Sequence, residues 1–90
     1  MKFEWDPEKD RINQRKHKVA FFTARKVFAD ENRIDMPDEY HSDSEERRIT
    51  IGMANKLLFV VYTERRKDVV RLISARKANE MERRFYYDRD

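Results

Sequence analysis

The 90-residue chain has no cysteine, so it offers neither a disulfide framework nor a thiolate metal site. No apolar run approaches the length of a membrane span. The opening stretch, Met1 to Asp10, lacks the apolar core of a signal peptide. These absences predict a cytoplasmic location. With a single glycine, the chain also lacks the basic, glycine-containing loop between strands that marks a double-stranded-RNA-binding domain. What it has in excess is charge: 43% of the residues are Asp, Glu, Lys or Arg, and the mean hydropathy is −1.07. Disorder would follow if nothing interrupted that charge, but Leu57-Leu58-Phe59-Val60-Val61 and an aromatic content of 12% do interrupt it. Ninety residues suit one domain covering 1–90, with a modest core and little stability to spare.

The net charge of +3 conceals an asymmetry. Residues 31–46 hold seven anions and one cation, Arg33, which leaves +9 for the rest of the chain. A basic body with one acidic segment fits a polyanion ligand, and it fits a merely soluble surface as well.

The periodicities predict β-α-α-β-β-β-β-α, an α+β domain with helices packed on an antiparallel sheet. Residues 2–5 alternate as a short strand. Asp6-Pro7-Glu8 is a helix start, with Asp as N-cap, Pro at the first position and Glu in the first turn. That helix runs to about Lys16 and has Ile12 as its one large apolar residue. A second helix is expected over Val19 to Ala29, with Phe21, Ala24 and Phe28 facing a core. Arg33 to Met36 reads as a short strand and Pro37 to Ser44 as a loop. Three further strands are expected over Arg47–Met53, Lys56–Glu64 and Val69–Ala75, joined by short turns as antiparallel hairpins. In the first of these, Ile49, Ile51 and Met53 form the apolar row. The last helix is expected over Ala75 to Tyr86, with Ala78, Met81 and Phe85 as its apolar stripe.

Two groupings carry candidate chemistry. In simple register Tyr62 lies opposite both Arg47 and Arg71, with Glu64 diagonal to Arg71; this is either a working polar cluster or a Glu–Arg pair with a tyrosine packed on it. Arg76 and Lys77 fall in the first turn of the expected last helix, where acids are the rule. They mark an anion site at free backbone N–H groups, or they pair with Glu80. His17, between Lys16 and Lys18, is a candidate general base, since flanking cations favour the neutral imidazole; the plainer reading is a capping or surface histidine. His41 lies among acids. The acids lack ligand spacing, so neither metal nor cofactor is expected.

The stretches Phe3-Glu-Trp-Asp6, Lys16-His17 followed by Val19 and Phe21, Val27-Phe-Ala-Asp30, Glu46-Arg-Arg-Ile-Thr-Ile-Gly52, Val61-Tyr-Thr-Glu-Arg65 and Ile73-Ser-Ala-Arg-Lys-Ala78 together resemble the BrnT family of toxins from bacterial type II toxin–antitoxin systems. The chain departs from that pattern at Lys18 and Ala20, where the family often has Gly and Ser. The resemblance implies a RelE-like fold and a ribonuclease that needs no metal, acting on RNA to inhibit translation. It implies a cognate ribbon-helix-helix antitoxin, BrnA-like, through which alone the complex binds promoter DNA and represses its operon. RNA cleavage of this kind requires a base, cations for the phosphorane and an acid. His17, Glu64, Arg71 and Arg76 are then the catalytic candidates. Lys16, Arg47, Tyr62, Arg65 and Lys77 are the candidate RNA and phosphate contacts. A non-catalytic nucleic-acid-binding module and a protein-interaction module are the rival readings.

Overall fold

A computed structural model of the chain describes residues 1–40 and 45–88. The expected loop over residues 37–44, with His41 in it, therefore falls partly outside the described residues. The elements are β1 (Lys2–Glu4), α1 (Pro7–His17), α2 (Phe21–Ala24) continuing as a 3-10 helix (Arg25–Ala29), β2 (Ile34–Pro37), β3 (Arg48–Ala54), β4 (Lys56–Arg66), β5 (Val69–Lys77) and α3 (Glu80–Tyr87). The class is α+β, as the periodicities predict. The five strands form one sheet in the order β1-β5-β4-β3-β2. The sheet is mixed, because β1 pairs with β5 in parallel while the other neighbours are antiparallel. The turns that close the two hairpins use Asn55 (φ 69°) and Asp68 (φ 65°) in the left-handed region, which Asn and Asp tolerate.

Helix α1 starts as its sequence dictates: the Asp6 side chain accepts from the Glu8 N–H at 2.9 Å and Pro7 opens the first turn. It ends on Lys18 in the left-handed conformation, φ 61°. This is the position where the pattern that the sequence resembles often has Gly, the residue that takes such a φ at least cost. Ala20 then begins α2 without a side-chain cap; the Asp10 carboxylate reaches across and accepts from the Phe21 N–H at 2.9 Å instead. The expected 11-residue second helix is thus one α turn followed by 3-10 geometry. Phe21, Ala24 and Val27 are fully buried.

The helical layer rests on one face of the sheet, against Leu58, Val60, Tyr62, Val70 and Leu72. On β3 the row turned to the helices is Thr50-Gly52-Ala54, not the larger Ile49-Ile51-Met53. Steric room decides this. A Cβ on Gly52 would lie 2.7 Å from Val27 Cγ1 and 3.0 Å from Arg33 Cβ, so the 3-10 helix can approach only over a glycine.

The strands next to the edges, β5 and β3, are longer than the edge strands β1 and β2 that pair with them, and side chains finish the pairing. β1 covers β5 only at residues 69–71. Farther along, the buried Asn13 amide accepts from the Ala75 N–H (3.1 Å) and donates to the Ala75 carbonyl (2.8 Å), as a neighbouring strand would. It also donates to the Val19 carbonyl at 2.8 Å. On the opposite side β2 ends its pairing with β3 at Ile51, and Asp30 accepts from the Met53 N–H at 2.8 Å. Edges left open would be templates for other strands.

The C-terminal segment departs most from expectation. β5 does not stop at Ala75. It runs to Lys77 because β4 still pairs with it there, Leu58 opposite Lys77, and the Ala78 N–H continues to the Leu57 carbonyl. Helix α3 opens at Asn79, whose side chain and Glu82 form a reciprocal capping box. Its inward residues are Glu82 and Tyr86, whose hydroxyl donates to Asp30 at 2.6 Å. Met81 and Phe85, expected in the core, are 79% and 56% exposed.

Candidate functional site

The sheet face away from α1 and α2 is only partly covered. At the end crossed by α3, Ile51 and Leu57 are buried. Beyond it runs a groove of about 440 Å³, floored by the half-buried Ile49, Val61 and Ile73, with Phe59, Ser74 and Arg76 on one wall and Asp38, Tyr40 and Arg47 on the other. A bulge in β5 shapes the floor: Val61 pairs with Ser74 and Tyr62 with Leu72, so Ile73 is extra. The Arg76 guanidinium lies 4.0 Å from the Phe59 ring centroid. It donates to both carboxylate oxygens of Glu82, at 2.9 and 2.8 Å, and to the Lys77 carbonyl at 3.1 Å. Burial by itself would raise the Glu82 carboxyl. The Arg76 hydrogen bonds, the Asn79 N–H and the charge of Arg76 outweigh it and hold the group below the usual carboxylate range.

A second cationic cluster lies farther along. Glu4, on β1, receives Arg71 at 3.1 Å, Arg66 at 3.5 Å and Arg65 at 3.6 Å. Arg65 also donates to Glu45 at 3.0 Å. The Arg71 hydrogen bond is the main cause of a lowered Glu4 carboxyl; burial opposes it, and the charges of Arg66, Arg71 and Arg65 add to it. Three guanidinium groups meet two carboxylates there, with Glu46 and Glu64 lining the surface beside Arg65. Arg76 lies level with Phe59 on β4, and Arg71 with Thr63, which puts about 15 Å between this cluster and the groove. Arg65 is six residues along β4 from Phe59, roughly 20 Å, and shares no partner with Arg76.

The expected grouping of Tyr62 with Arg47, Glu64 and Arg71 does not form. The register places Arg48, not Arg47, across from Tyr62 on β3. A second register shift, between Glu64 and Arg66 in β4, puts Leu72 across from it on β5, with Arg71 opposite Thr63 and Glu64 opposite Val70. One residue of slip moves a side chain to the other face. Tyr62 is instead 4% exposed, packed edge-on under Phe28 with centroids 4.9 Å apart. Its hydroxyl donates to Asp35, which also takes Arg48 Nε at 2.6 Å and Arg33 at 2.7 Å. Burial, and then Asp35, push the Tyr62 hydroxyl up to about 12. This network ties β2, β3 and β4 together, and within it Tyr62 itself is buried beneath the helical layer.

The remaining candidates are dispersed. Arg76 and Lys77 do not open a helix. As consecutive strand residues they point to opposite faces, so the expected joint anion site is absent. Neither does Arg76 pair with Glu80; its partner is Glu82, while Glu80 faces Arg84. His17 and the exposed Lys16 end α1, and among the described residues no hydrogen bond or ion pair joins His17 to Glu64, Arg71 or Arg76. Exposed Glu64 shares a shallow groove with Glu45, Glu46, Arg48, Thr63 and Arg65. Phe59, Glu82, Asn13 and Asp30 were not anticipated from sequence. For Glu82 the signal was present: Asn79-x-x-Glu82 is a capping-box spacing that sets the helix start at residue 80.

Comparison with known proteins agrees with this architecture. The crystal structure of the Brucella abortus ribonuclease toxin BrnT, at 1.1 Å resolution, superposes with a TM-score of 0.71 at 24% identity, over 89% of this chain and 99% of that one. No sequence match is found among curated proteins. The model of the family described as the ribonuclease toxin BrnT of type II toxin–antitoxin systems matches residues 5–82. That match spans most of the chain, from Trp5 in β1–α1 to Glu82 in α3, and the chain belongs to the BrnT family of ribonuclease toxins.

Proposed function

We propose that the chain cleaves RNA on its uncovered sheet face without a metal ion. The observation that carries this reading is that face itself: an apolar groove with arginines along its length, in a member of a ribonuclease-toxin family. The RNA would run along this face from the groove to the Glu4 cluster, where Arg65 and Arg71 meet its backbone. In the reaction the 2′-oxygen attacks the adjacent phosphorus, its proton passes to a base, the P–O5′ bond breaks and the 5′-oxygen takes up a proton. Arg71 and Arg65 suit the charge that develops on the phosphorane. Glu64, exposed beside Arg65, suits the proton transfer better than buried Tyr62 or His17 on the helical layer. Translation would fail as RNA is cut.

The partner in this reading is a cytoplasmic ribbon-helix-helix antitoxin, laid over the arginine-lined face and supplying the DNA contacts by which the complex represses its operon. Charge pairing with that face would make association fast and salt-sensitive.

The test is cleavage of RNA by the purified chain in excess EDTA. The expected products carry 2′,3′-cyclic phosphate and 5′-hydroxyl ends, and Arg71→Ala should slow the reaction about 10²-fold in a folded protein. Strict dependence on Mg²⁺, or 5′-phosphate products, would overturn the mechanism.

A further inference from the structure

We propose that the sheet-face groove is a subsite for one unpaired nucleobase, stacked on the Arg76 guanidinium, so that single-stranded rather than duplex RNA is the substrate. The inference rests on the ribonuclease reading and adds the chemistry of the ligand.

The argument begins with what Arg76 has left to offer. Its terminal nitrogens are engaged by Glu82 and the Lys77 carbonyl. The fork that would grip a phosphate is therefore committed inside the protein. Its planar face is not. Phe59 backs the guanidinium on one side, 4.0 Å from the ring centroid, Glu82 fixes the plane, and the side chain, 35% exposed, lines the groove. A guanidinium plane held this way is a stacking surface for a base. The same ion pair that removes Arg76 as a bidentate phosphate ligand turns it into a rigid platform.

The floor points the same way. Ile49, Val61 and Ile73 give a phosphate nothing to bind, but they cover the edge and face of a flat apolar-faced ring well. Tyr40, 92% exposed, borders the same groove. A volume of about 440 Å³ lies within the range of small-molecule sites. A duplex keeps its bases paired and stacked inside and cannot present one to this groove.

The experiment measures binding of a short single-stranded RNA made uncleavable by 2′-deoxy substitution at the scissile nucleotide. It is compared with the same strand carrying one abasic residue at each position in turn, and with its duplex. One abasic position should weaken binding about tenfold, as should pairing into duplex. Arg76→Lys, which keeps the charge and loses the plane, should cost about tenfold on the intact strand and almost nothing more on the abasic one. If that variant does not fold, Val61→Phe, which fills the floor, gives the same cycle. A flat abasic scan, or a duplex bound and cleaved as well as the single strand, would overturn the subsite and leave the groove to a protein side chain, while cleavage itself would still stand. Absence of cleavage of any unmodified RNA would sink the ribonuclease reading and this one with it.

Discussion

Asn13→Ala should be among the most destabilising single changes in α1, although a polar residue in a highly charged helix looks dispensable. Its amide makes three hydrogen bonds: to the Val19 carbonyl, to the Ala75 carbonyl and from the Ala75 N–H. Ala75 is 1% exposed and Val19 7%, so water cannot readily replace the lost partner. Three backbone groups left unpaired at about 1 kcal/mol each amount to roughly 3 kcal/mol, a large part of the ~5–15 kcal/mol by which a small domain is stable. For a chain of this size that is a fall in Tm of roughly 12–24 °C. Ile12→Ala is the control. Ile12, the one large apolar residue of α1, is 47% exposed, and its truncation should cost less than about 1 kcal/mol. Urea denaturation followed by circular dichroism gives both values on one scale. If Asn13→Ala costs no more than Ile12→Ala, the amide is not acting as a surrogate strand at the edge of β5, and the argument about how that edge is closed is wrong.

Gly52→Ala adds a single methyl group that must push Val27 and the 3-10 helix off β3; it should lower the urea midpoint by about 1–3 kcal/mol of stability, and a neutral result would mean that the layer yields easily. Tyr62 gives an alkaline signature. Its hydroxyl titrates at about 12 in the fold against 10.0 ordinarily, so the stability it contributes is whole below pH 10 and is lost as pH rises toward 12, up to ~3 kcal/mol. Tyr62→Phe has no such proton to lose, and its denaturation midpoint should fall less steeply than wild type over that window; parallel curves would contradict the buried assignment.

Much of the fold could be read from local signals. Asp6-Pro7-Glu8 starts α1 where the N-cap preference puts it, and Asn55 and Asp68 sit at the turns between apolar strands. The class and the family resemblance followed from such pieces. What could not be read depends on nonlocal geometry. An alternating strand such as Ile49-Thr50-Ile51-Gly52-Met53 does not say which row meets the helices; here the smaller row does, because the 3-10 helix needs the space over Gly52. Register at Tyr62 is set on one side by the turn at Asn55, which pairs Ala54 with Lys56 and so Arg48 with Tyr62, and on the other by the irregularities between β4 and β5; no propensity marks either, and the expected cluster dissolved. Ser74-Ala75 looks like a helix start because helix formers follow it, yet pairing with β4 carries the strand on to Lys77. Asn13 and Asp30 read as surface residues because their partners, the edges of β5 and β3, are distant in sequence.

The central claim is that RNA lies on the uncovered sheet face, and backbone amide shifts on titration with a strand made uncleavable by 2′-deoxy substitution test it most directly. The account predicts the largest changes at Arg47, Ile49, Phe59, Val61, Ile73 and Arg76, continuing to Arg65 and Arg71, with α1 and α2 unaffected. Changes confined to α1, around Lys16 and His17, would contradict it and move the site to the helical layer.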